Sequence, residues 1–413
     1  MHVLRREMKK ILKIYVDAYS GLSKESWMLA IVMLLNRTGS MVLPFLGIYL
    51  TDKLGYSLKE SGIVLSCFGI GSLIGSSLGG YLTDKFGNFK IQALSLLLSV
   101  PLFAVLPHFE RIEIISIMML ILSLVTMLFM PANSVAITRY ARKENITRAF
   151  SLNRMAVNLG FSFGPALGGF LSTYSYALLF YVNAGAALFA GIAFIAFFYN
   201  RKERNTDEDL KSIDPINPIQ KERNAYTDWP FWIFTIFAAT FSIGFFQILN
   251  TLPLFYKTVA NLSSKEIGIL MGFSGFCVFA FEMLLVHWAE KKFTIIDILF
   301  YGAIITGVSY SIFGFTHYLP FMFTAIFLMS IGEMLVLPFL STVTAMRAGV
   351  KNKGAYMGIN GLSGALAFIV SPYIGTLVAT KYNFEILWFG TAISLLLTAI
   401  GFRITVKKLI GDK

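Results

Sequence analysis

The stretch "GGYLTDKFGNFK", residues 79–90, lies between two long apolar runs and brings together glycines, one aspartate and two lysines. The chain around it is strongly apolar: of its 413 residues, 56% are hydrophobic and 14% are charged, and the mean hydropathy is +0.68. Soluble domains have roughly 45–50% apolar and about 25% charged residues. Apolar runs of about 20 residues, long enough to cross a bilayer, recur along the chain. The sequence therefore predicts an all-α membrane protein with this polar stretch in a loop.

One long polar segment, residues 200–228, divides the apolar runs into two sets of six. It carries both charge signs and two prolines without a hydrophobic period, which is typical of a linker. We expect an N-terminal amphipathic segment at 1–26, a first six-helix bundle at 27–199, a cytoplasmic linker at 200–228, a second bundle at 229–406 and a tail at 407–413. The predicted spans, numbered 1 to 12, are 27–50, 60–83, 89–107, 112–138, 148–172, 177–199, 229–256, 266–288, 294–316, 319–346, 354–379 and 385–405.

Lysine and arginine are distributed unevenly between the two sides of this topology. With the N-terminus inside, the inner segments hold 27 of them and the outer loops hold 6. Because positively charged loops stay cytoplasmic, both termini are predicted to be cytoplasmic, in a bacterial cytoplasmic membrane. The net charge of +12 then follows from topology, and no nucleic-acid partner is expected. The two cysteines lie in apolar runs without metal-ligand spacing, so no metal site is predicted.

The two halves of the chain repeat each other. "SLKESGIVLSCFGIG" from residue 57 aligns with "SSKEIGILMGFSGFC" from residue 263 at an offset of 206. "RAFSLNRM" in span 5 faces "GAYMGING" in span 11 at the same offset, and the Gly-Pro pair at 164–165 faces Ser-Pro at 371–372 at 207. Parallel six-helix repeats place a substrate site near the midplane, between halves that rock to give alternating access. The repeat favours carriage over catalysis.

The opening loop carries a recognisable pattern in Gly79, Leu82, Asp84, Gly87 and Lys90. These residues resemble the signature of the major facilitator superfamily, glycine-x-leucine-x-aspartate-x-x-glycine followed by basic residues, and they lie where that family has it, between spans 2 and 3. The resemblance implies twelve helices in two pseudosymmetric bundles. It also implies secondary active transport by alternating access.

A second motif, "GFSFGPALGG" at residues 160–169, resembles the glycine-proline motif of the drug/proton antiporters in that superfamily. The resemblance implies efflux of small amphipathic or drug-like compounds in exchange for protons. Glycines four residues apart allow close helix packing, and proline bends a span, so these residues suit a gate. The predicted conformational-gate residues are Gly79, Asp84, Gly87, Lys90, Arg139, Gly164, Pro165 and Gly168.

Span 2 carries two further expectations for the gate. Gly71, Gly75 and Gly79, spaced by four, are expected to press span 2 against a helix of the other half. Asp84 is expected to cap the positive N-terminal end of span 11 and so to hold the inner gate shut.

Four ionisable residues lie well inside the predicted spans: Arg37, Arg154, Glu282 and Glu333. Each costs about 2.5–3.5 kcal/mol at the bilayer centre, so each is expected to face water, an opposite charge or substrate. The superfamily resemblance implies that all four line the central cavity, with both arginines in the first half and both glutamates in the second. Ion pairs that latch one conformation and direct roles in transport both stay open. Glu333 is the candidate for the driving proton, opposite Arg37. The predicted substrate and proton-coupling residues are Arg37, Glu333, Glu282, Arg154, Asn36, Gln247 and Asn250.

An alternative comes from "NRTGSMVLPFLGIYLT" in span 1 and "GEMLVLPFLSTVTAMRAG" in span 10. These resemble segments of proton-coupled peptide transporters, in which an arginine and a glutamate hold the two termini of a peptide. Uptake of a zwitterion such as a di- or tripeptide is therefore the second candidate. No metalloprotease, serine-hydrolase or phosphate-loop motif is found, so we predict no enzyme activity and no cofactor beyond the proton gradient. The protein is expected to act as a monomer on a small-molecule substrate.

Overall fold

The structure is a computed structural model that describes residues 21–142, 145–201, 224–348 and 353–410. Most of the predicted amphipathic segment at 1–26, most of the linker at 200–228 and the end of the tail at 407–413 lie outside the described residues. The predictions for those segments stay predictions.

Every predicted span coincides with helix, and the all-α membrane fold in two pseudosymmetric bundles is confirmed. The helix of span 12 continues to Ile410, past the expected bundle boundary at 406. The observed bounds of spans 1 to 12 are Lys24–Lys53, Leu58–Phe86, Asn88–His108, Ile112–Tyr140, Ile146–Ser172, Tyr176–Phe198, Trp229–Thr258, Ser264–Lys292, Ile295–Phe315, Leu319–Arg347, Lys353–Lys381 and Phe384–Ile410.

Eleven of these spans are long and apolar enough, by length and hydropathy alone, to cross a membrane. Span 5 has the length, 27 residues, but is the least apolar of the twelve because it carries arginines, asparagines and the glycine-proline motif. It packs between span 1 of its own half and span 8 of the other half. Protein on both sides therefore shelters its polar groups from lipid.

Spans 1 and 7 are each broken near the middle. The helix of span 1 stops at Thr38 and resumes at Val42. That of span 7 stops at Phe245, passes through a 3₁₀ turn and resumes at Thr251. Irregular backbone at membrane depth is tolerated only where it is buried in protein or lines a cavity. Both breaks therefore mark the interior of the molecule.

The sequence repeat is reproduced at the start of spans 2 and 8. In span 2, the backbone N–H of Ser57 donates to Glu60 Oε2 at 2.8 Å, closing a capping box. In span 8, Ser263 and Glu266 form the same box at the same 2.8 Å distance. Both helices are 29 residues long. An offset of 206 therefore holds for these two spans in three dimensions.

Two helix crossings join the halves, and they are hydrogen-bonded in equivalent places. Where span 2 meets span 11, Ser66 Oγ donates to the carbonyl of Ile369 at 2.9 Å. Where span 5 meets span 8, Ser162 Oγ donates to the carbonyl of Gly272 at 2.9 Å. Gly272 is the equivalent of Ser66 at an offset of 206, and Ile369 is the equivalent of Ser162 at 207. The two bonds are thus related by exchange of the halves, with both hydroxyl groups on the first half.

Glycine contacts at the same crossings obey the same offsets. Gly69 packs directly on the backbone of Phe368 in span 11, and Gly275 packs on that of Phe161 in span 5. A Cβ added to Gly275 would lie 2.6 Å from the backbone nitrogen of Ser162, so the close approach requires glycine. Spans 5 and 11 are both continuous helices, so the offset of 207 applies along their whole length. The sequence alignment of "RAFSLNRM" with "GAYMGING" used an offset of 206 and therefore differs by one residue.

These crossings lie in the half of the molecule that we call the distal end, which includes Asp52 and Lys257. The proximal end is the opposite one, where span 1 begins at Lys24. At the distal end, Lys257 Nζ lies 3.4 Å from Asp52 Oδ2 and links span 7 to span 1. Toward the proximal end, spans 2 and 11 separate: a Cβ added to Gly80 or Gly358 would meet no described atom within 4 Å.

The prediction that the evenly spaced glycines of span 2 pack on a helix of the other half was wrong. Gly71, Gly75 and Gly79 pack on Leu120, Leu124 and Leu128, which belong to span 4 of the same half. Gly69 contacts the other half, and a residue two positions along a helix points about 200° away. Four-residue spacing predicted a close contact, but it did not identify the neighbouring helix.

Candidate functional site

A cavity of about 310 Å³ lies between the proximal halves of spans 5 and 8 and is also lined by Pro338 of span 10. Its polar wall includes Arg154 and Asn158 of span 5 and Glu282, His287 and Glu290 of span 8. Most of the remaining lining is apolar, including two methionines and a phenylalanine. A mainly apolar cavity with a few polar groups is typical of a small-molecule site.

Two side chains of the first half hold Glu282, which belongs to the second. The Arg154 guanidinium forms an ion pair with Glu282 Oε1, and Asn158 Nδ2 donates to Glu282 Oε2 at 3.0 Å. Arg154 and Asn158 are four residues apart, so both project from one face of span 5. The Glu282 side chain is only 15% exposed, whereas that of Arg154 is 47% exposed to the cavity. The cluster connects the two halves with both carboxylate oxygens occupied.

Glu333 lies beside this cluster without a partner of its own. Its charge is near enough to those of Glu282 and Arg154 to interact with them. Within the described residues, it forms neither an ion pair nor a hydrogen bond. The structure therefore brings together three of the four predicted intramembrane charges.

Arg37 is the fourth, and it lies apart from this group. Its Nη2 donates to the sulfur of Met130 at 3.0 Å, and its Nε is buried without an acceptor among the described residues. No ion pair or hydrogen bond among the described residues joins Arg37 to Glu333. Span 1 contacts span 4 where Arg37 meets Met130, and it contacts span 5 where Arg37 meets Gly160.

The predicted polar residues fall into two groups. Gln247 and Asn250 lie in the break of span 7, each only 4% exposed, and do not line the cavity between spans 5 and 8. Gln247 Nε2 donates to Thr391 Oγ1 at 2.9 Å, and Asn250 Nδ2 donates to the carbonyl of Phe246 at 3.1 Å. Asn36 is partly exposed beside the break in span 1.

The glycine-proline motif in span 5 has two neighbours. Gly164 and Gly168 pack against span 1, where a Cβ on Gly164 would lie 3.2 Å from the carbonyl of Arg37. The carbonyl of Pro165 instead faces Gly268 in span 8, across the boundary between the halves. The motif therefore links the broken span 1 to the second half.

The opening loop lies at the proximal end. Gly87 ends the helix of span 2 with a positive φ of 86°, a conformation that favours glycine. Asp84 and Lys90 are exposed, and Arg139 lies in the last turn of span 4. Because residues 349–352 are outside the described part of the chain, capping of span 11 by Asp84 stays a prediction.

Sequence reasoning missed one charged cluster at the proximal end of the second half. Arg347 of span 10 donates from Nε and Nη2 to the two carboxylate oxygens of Asp228 at 2.7 and 2.9 Å. The Tyr356 hydroxyl donates to Asp228 Oδ2 at 2.7 Å, and Arg347 Nη1 donates to the carbonyl of Leu409 at 3.1 Å. Burial opposes ionisation of Asp228, but the bonds from Arg347 and Tyr356 outweigh it and hold its pKa below the ordinary value. By sequence position Asp228 and Arg347 are loop charges, and charge counting gives no sign that they pair.

Comparison with known sequences identifies the family. The sequence profile of the Major Facilitator Superfamily matches residues 28–296 and 261–410. The chain belongs to the Major Facilitator Superfamily. It is 24% identical over 353 residues to the uncharacterized MFS-type transporter YqjV of Bacillus subtilis, covering 85% of each chain. It is 24% identical over 376 residues to the multidrug resistance protein MdtH of Shigella sonnei, covering 89% of this chain and 91% of that one.

The fold of the superfamily is also seen in a solved structure. The peptide transporter POT in complex with sulfate superimposes with a TM-score of 0.76 at 16% identity, covering 94% of this chain and 95% of that one. Membership of the superfamily makes this chain a multi-pass membrane transporter of a small molecule, and not an enzyme.

Proposed function

We propose that this superfamily member is a proton-coupled transporter of a bacterial cytoplasmic membrane, which exports small amphipathic or drug-like compounds by alternating access. The observation that carries the proposal is Glu333, a carboxylate without a partner among the described residues, beside the Arg154–Glu282 pair. An uncompensated charge at membrane depth costs about 2.5–3.5 kcal/mol on insertion scales. A bound proton removes that cost by neutralising Glu333. A proton that crosses 100 mV contributes about 2.3 kcal/mol, enough to drive an export cycle.

The conformation and the charge distribution support the proposed direction of transport. The distal crossings are closed, and the cavity beside Arg154 lies in the proximal half, where Gly80 and Gly358 face open space. The excess of lysine and arginine predicts that the proximal end is cytoplasmic. In this conformation the cavity is therefore open to a compound from the cytoplasm, which is the state in which an exporter loads its substrate. The similarity to MdtH, a multidrug resistance protein, supports the same substrate class.

The energy source under this proposal is the proton gradient, with no other cofactor, and the unit is a monomer. The seven predicted substrate and proton-coupling residues have different parts in it. Glu333 carries the proton, Arg154 and Glu282 form the neighbouring ion pair, and Asn36, Arg37, Gln247 and Asn250 contact substrate in conformations that open the breaks of spans 1 and 7.

A second candidate, uptake of a zwitterion such as a di- or tripeptide, is favoured by Arg37. Its guanidinium has only a thioether partner among the described residues, and its Nε has no acceptor there. A substrate carboxylate would satisfy Arg37, while an amino group would satisfy Glu333. The peptide transporter POT shares the fold, although at 16% identity this likeness bears on the fold alone.

Transport in proteoliposomes with an imposed pH gradient tests the proposal. Ethidium, an amphipathic cation, and dialanine, a zwitterion, are compared in the native chain, in Glu333→Gln and in Glu385→Gln. Glu385 is an exposed glutamate at the start of span 12 and serves as the matched control. We expect ethidium to move against the proton flux in the native and Glu385→Gln proteins, and not in Glu333→Gln. Gradient-driven ethidium transport that survives Glu333→Gln would reject the proton role, and dialanine movement along with protons would establish the second candidate.

A further inference from the structure

The crossing of spans 5 and 8 and the crossing of spans 2 and 11 are pseudosymmetric, but they differ at the depth of Arg154 and Glu282. Toward the proximal end, the crossing of spans 5 and 8 is bridged by the Arg154–Glu282 pair. The offsets of 207 and 206 carry these positions to Gly361 and Ser76 in spans 11 and 2. A Cβ added to Gly361 would meet no described atom within 4 Å, and Ser76 is exposed. One side of the molecule therefore has a charged bridge where the equivalent side has a gap.

The contacts of Glu282 favour a bridge between spans 5 and 8 that persists when the conformation changes. Both Glu282 oxygens are occupied, by Arg154 and by Asn158 from the first half, and the Glu282 side chain is 15% exposed. Separating spans 5 and 8 here would leave the largely buried Glu282 carboxylate without its cationic partner, which is unfavourable. Separating spans 2 and 11 at the equivalent level breaks no described contact of Gly361. The first movement breaks the Arg154–Glu282 ion pair and the Asn158 hydrogen bond, whereas the second breaks no equivalent contact.

We propose that the Arg154–Glu282–Asn158 cluster is a pivot that keeps spans 5 and 8 together in every conformation. The halves then open and close at the proximal end mainly between spans 2 and 11. The motion is a one-sided hinge in place of a symmetric rocking of the halves. This proposal does not depend on the identity of the substrate or of the driving ion.

The chain offers a matched pair of probes for this difference. Ser151 and Val286 both line the cavity beside the cluster, one in span 5 and one in span 8. Their equivalents at the same offsets are Gly358 in span 11 and Gly80 in span 2. Spin labels on Ser151→Cys with Val286→Cys therefore report the bridged side, and labels on Gly80→Cys with Gly358→Cys report the open side. The native Cys67 and Cys277 are first replaced by serine.

Distances within each pair are measured by double electron–electron resonance in lipid nanodiscs. The second conformation is favoured by wedging both distal crossings with Gly69→Trp and Gly275→Trp, which are themselves equivalent positions. We expect the Gly80–Gly358 distance to shorten by several ångström in the wedged protein, and the Ser151–Val286 distance to keep one value. Shortening of both distances to the same extent, or of neither, would overturn the pivot.

Charge variants then test whether the ion pair holds the pivot. Glu282→Gln should give the Ser151–Val286 pair a second distance, whereas Glu290→Gln, on the same span and the same cavity, should leave one. The exchanged pair Arg154→Glu with Glu282→Arg should restore the single distance if the variant chain folds as the native one does. A single distance that persists in Glu282→Gln would show that the crossing is fixed by packing alone and would reject the role of the charges. None of these results depends on transport of a particular compound, so they are independent of the test of Glu333.

Discussion

Replacement of Asp228 by asparagine should strongly destabilise the second half. The Asp228 carboxylate accepts bonds of 2.7 and 2.9 Å from Arg347 and one of 2.7 Å from Tyr356, and the two charged side chains are 3% and 5% exposed. Removing one partner of a buried ion pair costs about 3–5 kcal/mol, because the other charge is left uncompensated. The asparagine amide keeps one oxygen acceptor, so we expect a loss of about 3 kcal/mol in the free energy of unfolding.

The assay is equilibrium unfolding in mixed detergent micelles, with Asp228→Leu combined with Arg347→Met as the matched control. That double variant removes both charges and should stay near native stability, since apolar replacement of a buried pair is often neutral or stabilising. The pH dependence supplies a second check. Because the pKa of Asp228 is held below its ordinary value, the pair stabilises the fold at neutral pH, and the stabilisation is lost as the pH falls through the folded pKa. The Asp228→Asn variant should lack this acid-dependent loss. A loss below about 1 kcal/mol, the size of an exposed pair, would show that the Asp228–Arg347 pair does not behave as a buried one.

Three smaller effects are expected. Ser66→Ala and Ser162→Ala should each weaken distal closure by about 0.6 kcal/mol, the average for interhelical hydrogen bonds in membranes, and unequal effects in a distal cysteine-accessibility assay would contradict their equivalence. Lys257→Gln should change stability by less than about 1 kcal/mol, because the pair with Asp52 is about one-third exposed; a larger loss in the unfolding assay would show a buried pair. Arg37→Met should leave stability unchanged or raise it by up to about 3 kcal/mol, since it removes a charge without an acidic partner among the described residues; a loss would reveal a partner.

Hydropathy and charge distribution were enough to predict the helical architecture. Apolar runs of membrane length have few alternatives to helix, because every backbone polar group must be satisfied within the segment. Internal similarity predicted the pseudosymmetry, and the capping boxes at Ser57 and Ser263 reproduce it. The least apolar span, span 5, was still recognisable because its neighbours fixed the alternation of loops.

Contacts between side chains were harder to predict. The spacing of Gly71, Gly75 and Gly79 indicated a close contact but not the helix that makes it. The two arginines and two glutamates inside the spans permit several pairings, and sequence does not rank them, because pairing depends on the conformation in which the halves meet. Arg154 pairs with Glu282 here, while Arg37 and Glu333 form no described pair. Asp228 and Arg347 are far apart in sequence, so their pair emerges only when spans 7 and 10 pack.

Under the proposed function, Glu333 carries an exchangeable proton while Glu282 stays in its ion pair. Infrared difference spectroscopy of the purified protein between about pH 6 and about pH 9 tests this without a known substrate. Ordinary carboxyl groups, with a pKa of about 4, are ionised at both values, so a carboxylic-acid carbonyl band comes only from a carboxyl group that still holds its proton. We predict a band in the native difference spectrum that disappears in Glu333→Gln and persists in Glu282→Gln. A band that persists in Glu333→Gln would contradict the proposed proton role of Glu333.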